Sequence, residues 1–262
     1  MPYYFVDTGF DMVKYIHNYR ALGIKMLFSY AYKDVFDPCF QLMDKDDIIV
    51  DSGAFTIASS SNKELNIEGY MDFLYKHQDE YTHAFNFDVI GNPEATYDNQ
   101  KFLEEQGFDV IPVFHLGSQY KYLRQYINEG YKYISLGGMV RKPTKIKDTF
   151  LRKCFSIGVK DQIKFHGLGL NHKYCEKYPL YSIDNSNHTT VFRFAHVKVG
   201  KGKVQLKGYS RKNKGDFFKP VKIQVNYNLK AYQDIIRRKR FMYNKYFQDE
   251  QIVNEIVGDV NQ

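Results

Sequence analysis

Six short apolar runs end in IIVDSG, FNFDVIG, PVFHLG, ISLGGM, KFHGLG and YSIDNS. Five of these endings place an Asp or His where the run stops: Asp51, Asp88, His115, His166 and Asp184. The other places the pair Gly137–Gly138 there. Three carboxylates that face one cavity can act as ligands of a hard metal, as an acid and base pair, or as a nucleophile with helpers. No DxD or ExxE element accompanies these carboxylates, which weakens the metal reading. His115 and His166 could complete a zinc site with one Asp, but their place on different runs fits a structural or substrate-contacting role better. An Asp after a strand is more often a helix N-cap. Asp51 could cap its DSG turn, and Asp88 the helix that starts near Asn92. Several such endings together, each followed by small or glycine residues that let a ligand approach the backbone, point instead to an enzyme.

Elements that would carry these residues follow one rhythm over the first two-thirds of the chain. A β-branched or aromatic run alternates with a polar, helix-compatible stretch. Strands are expected at Ile24–Ser29, Asp47–Asp51, His83–Asp88, Val110–His115, Tyr133–Gly137, Ile163–Gly167 and Tyr181–Asp184. Helices are expected at Asn66–Lys76, Pro93–Glu105, Ser118–Ile127 and Lys145–Gly158. The runs are continuously apolar, as in a parallel sheet covered on both faces. Seven strands plus an eighth, either the N-terminal Tyr3–Val6 or a segment after Thr189, would close a (β/α)8 TIM-like barrel; an open doubly wound sheet is the other α/β possibility. Catalytic groups of such barrels gather at the C-terminal ends of the strands, where the Asp and His residues stand. Residues 1–195 read as the main part of the barrel and 196–226 as a basic appendage. The stretch 227–262, with a charged helix through Ala231–Gln248, reads as the closing helix.

The chain has 262 residues, 44% of them hydrophobic and 26% charged, which fits a globular protein and excludes a disordered one. No apolar run approaches the roughly 18 residues that span a bilayer, and the first residues lack a signal-peptide pattern, so a cytoplasmic protein without a membrane partner is expected. Cys39, Cys154 and Cys175 form no CxxC pair and suggest neither a disulfide framework nor a zinc knuckle. Net charge is +7. Nine Lys or Arg fall between Lys198 and Lys222 against the single acidic Asp216. Such a segment suits a phosphate backbone, and Tyr209, Tyr227 and Tyr232 nearby offer faces for stacking on bases. A solvated basic face would look the same.

The motifs match a known family. DSGAFT at Asp51–Thr56 resembles the DSGG(F/Y)Q motif of the queuine and archaeosine tRNA-guanine transglycosylases. FDVIGNPEAT at Phe87–Thr96 resembles the segment that carries their base-recognition aspartate. SLGGMV at Ser135–Val140 is similar to their glycine pair at the incoming base, FHGLGL at Phe165–Leu170 to their MGVG motif, and YSIDNSN at Tyr181–Asn187 to the segment of their nucleophilic aspartate. The likeness extends over about Asp47–Asn187 and lies in the combination of motifs. It implies base exchange by double displacement, with Asp184 as nucleophile, Asp51 as general acid and base, and no cofactor. It further implies that Asp88 reads a guanine-like edge, and that Ser52, Gly53, Phe55, His115, Gly137, Gly138, Leu168 and Gly169 line the base pocket.

Two departures bear on the substrate. The CxCxxC and His zinc site of the tRNA enzymes has no counterpart here, and His115 stands where they carry a glutamine. In both respects the chain resembles the compact transglycosylases of bacteriophages and bacterial DNA-modification clusters. That resemblance implies replacement of guanine in DNA by a 7-deazaguanine such as preQ0, on a nucleotide flipped out of the stack. Lys201, Lys203, Lys207, Arg211, Lys212, Arg237 and Arg238 would hold the flanking phosphates, with no metal. Three other readings stay open: the same exchange on tRNA, an inactive nucleic-acid-binding accessory of a modification complex, and a metal-dependent barrel hydrolase. A homodimer or a modification-complex partner is compatible with any of them.

Overall fold

A computed structural model describes residues 3–6, 12–59, 66–189, 191, 194–199, 202–206 and 218–257. Nine parallel segments form one sheet: β1 (Tyr3–Phe5), β2 (Lys25–Ser29), β3 (Ile48–Asp51), β4 (His83–Phe85), β5 (Val110–Ile111), β6 (Val113–His115), β7 (Tyr133–Gly137), β8 (Lys164–Gly167) and β9 (Ser182–Asn185). Their spatial order is β5-β4-β3-β2-β1-β9-β8-β7-β6. The two edge segments, β5 and β6, are halves of one run broken at Pro112, which has no N–H to donate to a ladder. The Pro112 carbonyl still accepts from Ser135 N–H at 2.8 Å. Counted as one strand, the two halves join the edges of the sheet into an eight-stranded α/β barrel of the TIM type.

The eighth strand is the N-terminal one. Tyr4 lies in register with Lys25 of β2 on one side and with Asp184 of β9 on the other. The segment after Thr189 contributes instead an antiparallel hairpin, β10 (His196–Val199) and β11 (Gly202–Gln205), which forms a separate two-stranded sheet.

Both faces of the barrel sheet are buried, and side chains alternate across it. Outward residues such as Phe5, Met26, Phe28, Ile48, Val50, Ile134 and Ile183 join the large core between strands and helices. Inward residues Tyr4, Leu27, Ile49, Phe85, Ile111 and Val113 form a second, smaller core that fills the barrel. Removing a ring such as Phe85 from that plug would cost roughly 3–5 kcal/mol.

The surrounding helices include α1 (Met12–Ala21), α2 (Lys33–Phe36), α3 (Ala54–Ser59), α4 (Ile67–Lys76), α5 (Pro93–Glu105), α6 (Tyr120–Asn128) and α7 (Thr144–Gly158). Asn66 and Asn92 cap α4 and α5 by accepting from Gly69 N–H and Ala95 N–H. The helix α8 (Phe218–Phe247) starts well before Ala231, because Val221, Gln224 and Val225 are themselves buried; α9 (Glu250–Val257) follows it. Residues 218–226 therefore belong to this helix, although the composition shift assigned them to the basic appendage. Helix α8 packs on the barrel through Tyr232, whose ring centroid is 5.3 Å from that of Tyr3, and Tyr246, whose hydroxyl donates to the Ile163 carbonyl at 3.0 Å. No helix among the described residues is long and apolar enough to cross a membrane.

Candidate active site

The period-two alternation that buries Leu27, Ile49 and Val113 inside the barrel also carries Ser29, Asp51 and His115 inward, one step nearer the C-terminal ends. At that level the apolar plug ends and a cavity of about 500 Å³ opens, within the usual size of small-molecule sites. Asp51, Phe55, Asp88, His115, Gly137, Gly138, Leu168, Gly169 and Asp184 all line it. Ser52 and Gly53 do not line it and act from behind.

Each carboxylate has a distinct set of partners. Asp88 is buried, with Ser52 Oγ–H donating to Oδ1 at 2.7 Å and His115 Nε2 2.8 Å from Oδ2. It caps no helix, since Asn92 performs that role for α5. Asp184 is also buried, and its Oδ1 accepts from Gly169 N–H at 2.9 Å and faces His166 Nε2 at 3.1 Å. Among the described residues no imidazole pairs with Asp51. Its Oδ2 accepts from Gly53 N–H at 2.9 Å, so it closes the DSG turn and faces the cavity at once. Burial, reinforced by the negative charges of Asp88 and Asp184, pushes the Asp51 carboxyl up to about 7, against the weaker opposing pull of Gly53 and Ser29. Near neutral pH it therefore exists in both protonation states.

The glycines at the site have steric reasons. A Cβ on Gly137 would stand 2.6 Å from the ring of His115, so a side chain there would displace the imidazole paired with Asp88. Gly53 has φ +82°, and a Cβ on it would stand 2.4 Å from Ala31 Cβ. Gly138 has φ +73° and turns the chain out of β7.

At the mouth, Phe55 is 46% exposed, and the Arg141 guanidinium lies 5.9 Å from its ring centroid. Arg141 occupies the left-handed region at φ +61°, a conformation unusual for a non-glycine residue. Arg141 and Lys142 are exposed and line the cavity, as do Tyr32, Thr56 and Val140. The pattern of strand endings did not single these residues out, since all lie in the loops and short helices beyond the strands. A signal for Arg141 and Lys142 was present in their position directly after GGMV.

The expected phosphate-binding residues are more dispersed. Lys203 is exposed on β11, and Arg237 is exposed on α8. Arg238 is engaged by Glu176 at 2.7 Å. None of these three lines the cavity. Lys201, Lys207, Arg211 and Lys212 lie outside the described residues. Among the described residues no group of three or more His, Cys, Asp or Glu side chains is arranged to hold a metal ion. His115 and His166 each face a different Asp instead of converging.

No protein-family model and no curated protein matches the chain.

Proposed function

We propose that the protein is a base-exchange transglycosylase that replaces guanine in DNA with a 7-deazaguanine. The observation that carries this reading is the set of three carboxylates in one cavity, of which one, Asp51, is raised to about 7 while its two neighbours are each held by an imidazole. Such a set supplies a proton carrier, a nucleophile and a hydrogen-bond acceptor, the three functions the exchange requires. The motif resemblance supports the assignment of roles.

In the first half-reaction an oxygen of Asp184 bonds to C1′ as the C1′–N9 bond breaks. The bonding electrons leave with guanine, and protonated Asp51 gives the departing base its proton. In the second half, Asp51 takes a proton from the incoming 7-deazaguanine, whose nitrogen bonds to C1′ as the ester C–O bond breaks and the Asp184 carboxylate returns. Atoms and charge balance without a redox partner. Asp88 accepts from the N1–H and exocyclic amine of the base; Ser52 occupies one site on Oδ1 and His115 Nε2 stands 2.8 Å from Oδ2, which leaves further lone pairs for the base. Phe55 offers a face for stacking, and the Gly137–Gly138 turn lets the base approach the backbone.

Because C1′ is shielded in stacked DNA, the nucleotide enters flipped out, with its phosphates outside the cavity. The exposed Arg141 and Lys142, which line the cavity, support a contact with those phosphates. The test is incubation with guanine-labelled duplex DNA, single-stranded DNA and tRNA, each with and without preQ0, followed by nucleoside mass analysis. Release from DNA with the deazaguanine in its place is expected. Release from tRNA alone would transfer the reaction to that substrate, and no release from any of the three would sink the reading.

A further inference from the structure

Behind Asp184 runs a line of buried and half-buried polar groups that the exchange chemistry does not itself call on. His166 is fully buried and does not line the cavity. Its Nε2 is 3.1 Å from Asp184 Oδ1, and its Nδ1 is 2.7 Å from Ser182 Oγ. Ser182 Oγ is in turn 2.6 Å from the Tyr133 hydroxyl. The line crosses β7, β8 and β9, and Ser182 and Asp184 share the inward face because they are two residues apart. The rings of Phe85, at 4.8 Å, and Tyr4, at 6.2 Å, enclose the imidazole.

Counting hydrogens assigns the direction. Burial pushes the Tyr133 phenol well above its ordinary range, so it keeps a proton that it can share with Ser182 Oγ, and the carboxylate at the far end of the line sets the direction. Ser182 has one hydrogen, which it then gives to His166 Nδ1. A neutral imidazole that accepts at Nδ1 carries its own hydrogen at Nε2, facing Asp184 Oδ1. The opposite direction would set an imidazole lone pair against a carboxylate oxygen. Oδ1 also accepts the Gly169 N–H. Both donors thus fall on one oxygen, and among the described residues none donates to Oδ2.

We propose that His166 is a positioning residue, locked as the Nε2–H tautomer by Ser182 and Tyr133, and that it turns Asp184 so that Oδ2 is the oxygen that bonds to C1′. This rests on Asp184 being the nucleophile. The lock acts through Asp184 alone, so it governs the rate of bond formation and leaves binding of the free base untouched.

The experiment uses the full chain labelled with 15N-histidine, read by NMR for the imidazole tautomer, together with exchange kinetics of Ser182→Ala, Tyr133→Phe, His166→Gln and His166→Phe. The wild type is expected to show the Nε2–H tautomer at His166, with the tautomer balance shifted in Ser182→Ala. The kcat of Ser182→Ala should fall about tenfold with KM for free preQ0 within twofold. His166→Gln, which keeps an N–H toward Asp184, should retain more activity than His166→Phe. Ser182→Ala removes one buried oxygen and keeps the test open if the ring variants fail to fold. An Nδ1–H tautomer in the wild type, or an unchanged kcat in Ser182→Ala, overturns the role of His166 while leaving the exchange reaction in place. Absence of exchange by the wild type on every nucleic acid overturns the reaction itself and this role with it.

Discussion

Two carboxylate–imidazole pairs flank β7, and the contrast between them bears on what each is suited to do. Asp88, in the loop just beyond β4, and His115 of β6 stand on one side, and Asp184 of β9 and His166 of the neighbouring β8 on the other. In the first pair both carboxylate oxygens are engaged, Oδ1 by Ser52 and Oδ2 by the imidazole, and the imidazole reaches the cavity. In the second pair both donors meet Oδ1, and the imidazole lies sealed in the barrel. A carboxylate held at both oxygens is a fixed acceptor suited to recognition. One held at a single oxygen keeps the other for bond formation. Asp51, which meets no imidazole among the described residues, is the carboxyl pushed up to about 7.

The sharpest test of this contrast exchanges one carboxylate at a time. Asp184→Asn should lower kcat at least about 10³-fold and abolish the denaturation-resistant protein–DNA adduct, whereas Asp88→Asn should retain the adduct and raise KM for the base about 10-fold to 100-fold. Equal effects of the two changes on kcat would erase the distinction.

Next in size is Asp51→Asn, with an expected loss of about 10²-fold in kcat and of the pH-profile limb near 7. Its stability carries a definite sign. A carboxyl that titrates at 3.8 in the unfolded chain and at about 7 in the folded one holds more protons when folded, so stability falls as pH rises through that window. The Asn variant, free of that penalty, should gain on the order of 2 kcal/mol over the wild type at pH 8 and little at pH 4, as read by urea denaturation. A variant less stable than wild type at pH 8 would contradict the assigned shift.

The smallest effect concerns the two basic regions. Arg141→Ala should weaken DNA binding several-fold and lower the slope of log K against log salt by nearly one, while Lys203→Ala, away from the cavity, should change affinity less than twofold. The reverse order would move the phosphate grip to the hairpin.

Much of the barrel was legible because its strands are short apolar runs that stop at polar residues, and the same stops marked Asp51, Asp88, His115 and Asp184. Helices such as α5 were legible for a different reason, as the polar, helix-compatible stretches between those runs. What the runs concealed was alternation. Ser182 reads as an ordinary strand residue, and only the pleat aligns it with Asp184 and His166. The start of α8 was hidden by its lysines, since Lys219 and Lys222 conceal the buried Val221 and Val225 in a composition count. The eighth strand was open between two places because Tyr3–Phe5 is too short to rank above any other aromatic triplet; pairing with β2 and β9 decided it.

The placement of β1 has a kinetic consequence. Asn185, next to Asp184, donates to the Tyr3 hydroxyl at 2.8 Å across a sequence separation of 182 residues. The contact that seals the barrel beside Asp184 is thus among the most distant along the chain, and closing so long a loop is slow and entropically costly. Refolding should regain helical circular dichroism before the barrel closes, with β9 among the last elements to find its neighbour.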